Sequence, residues 1–161
     1  MDVAERFDLD VDLTEGDVQG TISQDKKIEG LRRFEKLFDS LTSGQTGETV
    51  LPWLEGVVLF WATEKVYFEA WSWAKAQAEE TGKKFEEDAD GGAMRKEFIP
   101  NWTNDEFIKF VDTLEAILNE GVEEASRGDE TLKNRIAERA ETIWSQLLDA
   151  EEAFWPKIES N

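Results

Sequence analysis

The feature that most limits what this chain can fold into is the run from about residue 50 to Thr81, in which apolar residues occupy nearly every side of a helical projection. Val57, Trp61, Phe68 and Trp71 form one stripe, and Val58, Leu59, Ala62, Val66 and Trp73 form another. Thr49 followed by Pro52, a residue tolerated in a first helical turn, marks the start, and Thr81-Gly82 marks the stop. A helix that is apolar all round has to be buried on most of its faces, so the rest of the chain must surround it. The spacing therefore predicts a buried central helix near 50–81.

The flanking sequence supplies the surrounding elements. Ile28, Leu31, Phe34, Leu37, Phe38 and Leu41 recur at three and four, which predicts an amphipathic helix from Gln24 to about Leu41. Gln24-Asp25 reads as its start rather than as a site. Residues 41–47 are a loop by composition, and 82–101 are acidic or glycine-rich, predicting a mostly irregular connection with a short helix near Met94. Thr103-Asn104-Asp105-Glu106 fits a capping box, in which Thr103 and Glu106 satisfy each other's free backbone N–H groups. The helix it opens carries Phe107, Phe110, Val111, Leu114, Ile117, Leu118 and Val122 and stops at Arg127-Gly128. A last helix starts near Asp129 to Thr131, carries Leu132, Ile136, Ile143, Leu147 and Phe154, and ends near Pro156. Four main helices joined by loops predict an all-α helical bundle, a single domain over 1–161 with an irregular arm at 1–22.

Composition narrows the chemistry. With no cysteine and no histidine, the chain has no disulfide, no thiolate or imidazole metal ligand, no Ser-His-Asp or Cys-His machinery and no histidine-bound haem. Acid–base work must fall to Asp, Glu, Lys or the single tyrosine, and 37 acidic residues make a carboxylate the natural choice. The formal net charge of −19 opposes binding to nucleic acid or to an anionic membrane surface and suits a neutral or cationic small ligand. The first residues lack the basic and apolar regions of a signal peptide, no segment is uncharged for long enough to span a bilayer, and the absence of cysteine leans toward the cytoplasm.

Among so many carboxylates, the informative ones sit on apolar helical faces. Glu64 has Phe60, Trp61, Tyr67 and Phe68 three and four residues to either side, so its side chain is expected in aromatic surroundings that would raise its pKa. Glu151 stands in the same relation to Leu147, Leu148, Phe154 and Trp155. Either glutamate could instead sit at the core boundary, reaching water or pairing with Lys65 or Lys157. Tyr67, one turn from Glu64, can donate a hydrogen bond to a ligand, and the seven tryptophans can serve as core or as walls of a flat-ligand pocket. Glu55, Glu69, Asp105 and Glu106 are weaker candidates.

Three stretches, taken in order, resemble the TenA family, the thiaminase II or aminopyrimidine aminohydrolase group of the haem-oxygenase-like fold, and its fungal-type members in particular. They are Leu54-Glu55-Gly56-Val57-Val58-Leu59-Phe60-Trp61-Ala62-Thr63-Glu64-Lys65-Val66-Tyr67, the element Trp102-Thr103-Asn104-Asp105-Glu106-Phe107, and Glu151-Glu152-Ala153-Phe154-Trp155. The resemblance implies hydrolysis of an aminopyrimidine breakdown product of thiamine for salvage, with release of ammonia and no metal or organic cofactor. It implies a glutamate pair in place of the cysteine found in many members, with Glu64 and Glu151 as general base and acid. Tyr67, Trp102, Trp61 and Phe60 would then bind the substrate. The helices that precede this region in the family have no counterpart here, which leaves three expectations: a fragment, a shortened gene product, or a chain whose apolar surface a second copy covers, giving a homo-oligomer. The reading from a different class is a non-catalytic helical module that binds a small aromatic ligand or a protein partner. A closed cavity lined by Glu64, Tyr67, Trp102 and Glu151 favours the enzyme, and glutamates in solvent or tied to lysines favour the module.

Overall fold

A computed structural model describes residue 6 and residues 22–42, 50–80 and 82–156 of the chain. Its helices are α1 (Glu29–Thr42), α2 (Pro52–Glu80), α3 (Ile99–Trp102), α4 (Asp105–Ser126) and α5 (Glu130–Phe154). A 3₁₀ turn lies at Phe85–Glu87 and a π-helical turn at Met94–Phe98. No strand occurs among the described residues, so the all-α helical expectation holds, and the aromatic helix spans Pro52–Glu80 much as its periodicity predicts. The expected arm at 1–22 apart from Arg6 and Ile22, the loop at 43–47, Thr49, Thr81 and Lys157 lie outside the described residues. No helix among the described residues is long and apolar enough to cross a membrane.

The chain divides into two compact units, with the boundary inside α2 between Thr63 and Glu64 and inside α4 between Thr113 and Leu114. The first, the bundle unit, packs four helical segments: α1, the start of α2, the end of α4, and α5. Phe34 meets Phe154 edge-on at 5.9 Å; Gly30 lies against the Phe154 backbone while Arg33, further along α1, donates to the earlier Asp149 carbonyl at 3.0 Å, so α1 runs antiparallel to α5. Gly30 is required at this crossing because a Cβ there would lie 2.3 Å from the Phe154 backbone. The pairs Glu55–Arg139 and Trp61–Trp144 instead advance together, making the start of α2 parallel to α5. Leu54, Leu59, Ala62, Ile143, Leu147 and Ala150 are each no more than 1% exposed and form an aliphatic core. Full burial of a leucine or isoleucine side chain contributes roughly 1.5–3 kcal/mol.

A buried ion pair crosses that core. Arg139 Nε donates to Glu55 Oε2 at 2.8 Å, and Glu55 Oε1 accepts the backbone N–H groups of Val50 (2.7 Å) and Leu51 (3.4 Å), so one carboxylate both fixes the entry to α2 and ties it to α5. Helix α1 begins at Glu29 rather than near Gln24. Ahead of it, Lys26 N–H bonds the Ser23 carbonyl in a turn, and Arg32 donates to the carbonyls of Gln24 and Lys27, holding that stretch out of the helix.

The second, aromatic unit comprises the remainder of α2, the connection 82–104 and the start of α4, with Arg6 joined to Glu97 at 2.6 Å. The short helix expected near Met94 is present as the π-helical turn, and the connection is more helical than expected, with a 3₁₀ turn at Phe85–Glu87 and α3 besides. Arg95 organises it: Nε donates to Asp88 Oδ2 at 2.6 Å, Nη1 and Nη2 donate to the carbonyls of Lys83 and Lys84 at 3.0 Å each, and the guanidinium lies 4.7 Å from the Phe85 ring centroid. Asp90 accepts the N–H groups of Gly92 and Met94 at 2.9 and 2.8 Å, opening the π-helical turn. Gly92 has φ +90°, and a Cβ there would stand 2.8 Å from Phe85, so both the turn and the close approach need glycine. The expected capping box is corrected as well. Thr103 Oγ1 donates back to the Ile99 carbonyl at 2.7 Å, completing α3, and Asn104 Oδ1 takes the Phe107 N–H at 2.8 Å, making Asn104 the N-cap of α4.

Candidate functional site

Two carboxyl groups, Glu64 and Glu151, are pushed above the usual glutamate range, in each case chiefly by burial. The sign is unusual in this chain. Asp25, Glu29, Glu35 and Asp90 are all held below their ordinary values, mainly by hydrogen bonds from Ser23, Arg33, Lys27 and the Met94 N–H respectively. A carboxyl group raised by burial retains its proton to higher pH and is suited to proton transfer.

Glu64 belongs to the aromatic unit. It is half-buried on α2, and its neighbour Lys65 pairs with Glu69 at 3.3 Å. One helical turn on, Tyr67 meets Trp102 edge-on at a centroid distance of 5.3 Å, and Trp102 meets Phe107 at 5.1 Å. Trp71 stacks on Phe98 at 6.1 Å with 20° between the rings. The structure thus brings together Tyr67 and Trp102, residues expected from separate motifs, because α3 carries Trp102 on the short helical turn that the sequence reading had treated as the end of an irregular stretch.

Glu151, Trp61 and Phe60 belong to the bundle unit. Glu151 is 4% exposed; its Oε2 accepts the Trp155 indole N–H at 2.8 Å, and its buried Oε1 has no hydrogen-bond partner among the described residues. The indole bond lowers the carboxyl pKa and so opposes the larger effect of burial. Trp61 lies 5.7 Å from Trp144, with its indole N–H buried and without an acceptor. Phe60 packs edge-on against Phe38 at 6.1 Å but is 57% exposed, a poorer wall than its position in the sequence suggests. The six expected residues therefore fall into two groups, Glu64 with Tyr67 and Trp102, and Glu151 with Trp61 and Phe60.

Two structural partnerships escaped the sequence reading. Glu55, a weaker candidate by sequence, is 4% exposed and paired with Arg139. The available signal was Arg139 itself, which falls on the stripe Ile136, Ile143, Leu147 at helical spacing. Trp155 is a polar as well as an apolar neighbour of Glu151, because the i,i+4 spacing places its N–H within reach of the carboxylate. Among the described residues no cluster of three or more acidic side chains is arranged to hold a metal ion. A cavity of about 420 Å³ in the aromatic unit is lined by Lys75, Phe85, Arg95, Ile99, Pro100 and Thr103, among others, and by none of the expected site residues.

The chain is similar to a protein of Fusarium pseudograminearum named "Probable transcription factor", with 24% identity over an alignment 125 residues long; the match covers 59% of this chain and 25% of that protein. It spans about a quarter of the length of the curated relative it matches. No family model matches the chain, and no solved structure does.

Proposed function

We propose that this chain is a TenA-like hydrolase of the haem-oxygenase-like fold that removes ammonia from an aminopyrimidine product of thiamine breakdown. One glutamate takes a proton from water as it attacks the carbon bearing the amine. The other gives its proton to the departing nitrogen, so that water and amine become alcohol and ammonia with no net change at the two carboxyl groups. The resemblance assigns these two roles to Glu64 and Glu151, and substrate binding to Tyr67, Trp102, Trp61 and Phe60. The reaction needs no cofactor, and a salvage role places it in the cytoplasm.

The observation that carries this reading is that burial raises both glutamates and neither is neutralised by a lysine or arginine among the described residues. Glu64→Gln and Glu151→Gln are expected to lower ammonia release by about 10²–10⁴-fold each, the usual range for loss of a general acid or base, with the thermal transition retained. Wild-type rates in both variants would end the proposal. The second reading, a non-catalytic module for a small aromatic ligand, draws support from the cavity beside Phe85 and Arg95, which none of the proposed catalytic residues lines. That reading predicts ligand-induced tryptophan quenching abolished by Phe85→Ala and unaffected by Glu64→Gln.

A further inference from the structure

We infer that Trp155 is a positioning residue: its indole N–H holds one oxygen of the Glu151 carboxyl group and leaves the other, Oε1, as the single oxygen offered to a ligand N–H or to a transferable proton. The two oxygens of a carboxylate are chemically equivalent until something distinguishes them. Here the distinction is structural. Trp155 is bound to Glu151 twice, by the indole N–H to Oε2 at 2.8 Å and by the backbone N–H to the Glu151 carbonyl at 3.0 Å. Helix α5 ends at this point, where Trp155 turns to extended backbone (φ −67°, ψ 141°), so the side chain folds back over the last helical turn instead of continuing away from it.

The remaining oxygen is the unusual part. Glu151 is 4% exposed and Oε1 is buried without a donor among the described residues, an arrangement that disfavours the ionised group. Among the described residues no cation pairs with it. The flanking charged side chains on α5 are Asp149 and Glu152, both acidic. From α1, which packs on this end of α5, Arg33 reaches only the Asp149 carbonyl, at 3.0 Å, and otherwise pairs with Glu29 at 2.9 Å. A buried acceptor left open beside one that is fixed fits a group waiting for an N–H donor, such as an amine or amidine nitrogen. The inference rests on Glu151 being a working carboxyl group, as in the proposed function, but its test does not need the reaction.

The test is a pH titration of the Glu151 side-chain carbon by NMR on protein labelled at glutamate, assigned with Glu151→Gln, in the wild type and in Trp155→Phe. Removing the N–H takes a hydrogen bond from the charged form, so the Glu151 midpoint is expected to move upward. A tryptophan that served only to cover the carboxyl group would act in the opposite sense, because its loss would admit water and move the midpoint down. A downward or absent shift overturns the inference. Should Trp155→Phe fail to give a cooperative thermal transition, benzothienylalanine at the same position keeps the shape without the donor and must shift the midpoint upward too. If the wild type releases no ammonia from the aminopyrimidine, the hydrolase reading fails while the titration still decides the role of Trp155. If it does release ammonia, Trp155→Phe is expected to lower kcat with KM held, and a change confined to KM would count against positioning.

Discussion

The two units of this molecule are held together by different means. In the bundle unit, aliphatic side chains at helical spacing close on one another until Ile143, Leu147 and Ala150 are fully buried, and Glu55 and Arg139 place an ion pair inside that core. In the aromatic unit, burial is shallower, Trp73 is 69% exposed, and the fold depends on rings meeting at 5.1–6.2 Å and on Arg95 and Asp90 bonding backbone groups of the connection. The difference indicates where each unit can be damaged. An aliphatic core with a buried charge fails when a partner is removed, whereas a partly solvated aromatic layer yields gradually and leaves room for a ligand.

The largest expected effect follows from Arg139→Met. It strands the Glu55 carboxylate in the core and should cost about 3–5 kcal/mol in urea unfolding, as removal of one member of a buried pair commonly does. Adding Glu55→Gln should recover part of that loss, since the amide oxygen can still accept from Val50 and Leu51. Full stability in the single variant would mean that the pair does not hold α2 to α5. Next, Gly30→Ala should destabilise by about 1–3 kcal/mol, because the methyl group meets backbone, which cannot move aside like a flexible side chain; a neutral result would place α1 farther from Phe154.

A pH-dependent effect should be smaller. The Glu151 carboxyl group is raised in the folded chain, so its favourable contribution is fully present below the unfolded glutamate pKa and is lost as pH rises through the folded value. Glu151→Gln, which stays neutral and still accepts the Trp155 N–H, should therefore unfold at higher urea than the wild type near neutral pH and lose that advantage in acid. An advantage independent of pH would show that the carboxyl group is not raised. In the aromatic unit, Asn104→Ala removes the cap of α4 and should cost about 1 kcal/mol, and an equal loss from Thr103→Ala would restore the capping-box reading in place of the geometry at Asn104.

Helix positions in the bundle unit were legible because a repeating apolar stripe reports one buried face, and α4 and α5 end within a residue or two of where Arg127-Gly128 and Pro156 place them. The connection 82–101 was not, because its order comes from contacts that no periodicity records: Arg95 reaching back to Lys83 and Lys84, and Phe85 lying against Gly92. The same limit separates the candidate residues. The burial that raises Glu64 and Glu151 is in line with their spacing, and the meeting of Tyr67 with Trp102 depended on a short helix in the stretch that composition assigns to loop. Thr103 illustrates the ambiguity directly, since the box sequence is present and its hydroxyl serves the helix before it.

The measurement that bears most directly on the account is a titration of the purified chain with thiamine's pyrimidine in its aminomethyl form, following tryptophan fluorescence and released ammonia together in the wild type, Glu64→Gln and Glu151→Gln. The account predicts quenching and ammonia release in the wild type, with quenching retained and release lost in both variants. Ammonia release that persists in the variants, or a wild type that binds and releases nothing, would contradict it.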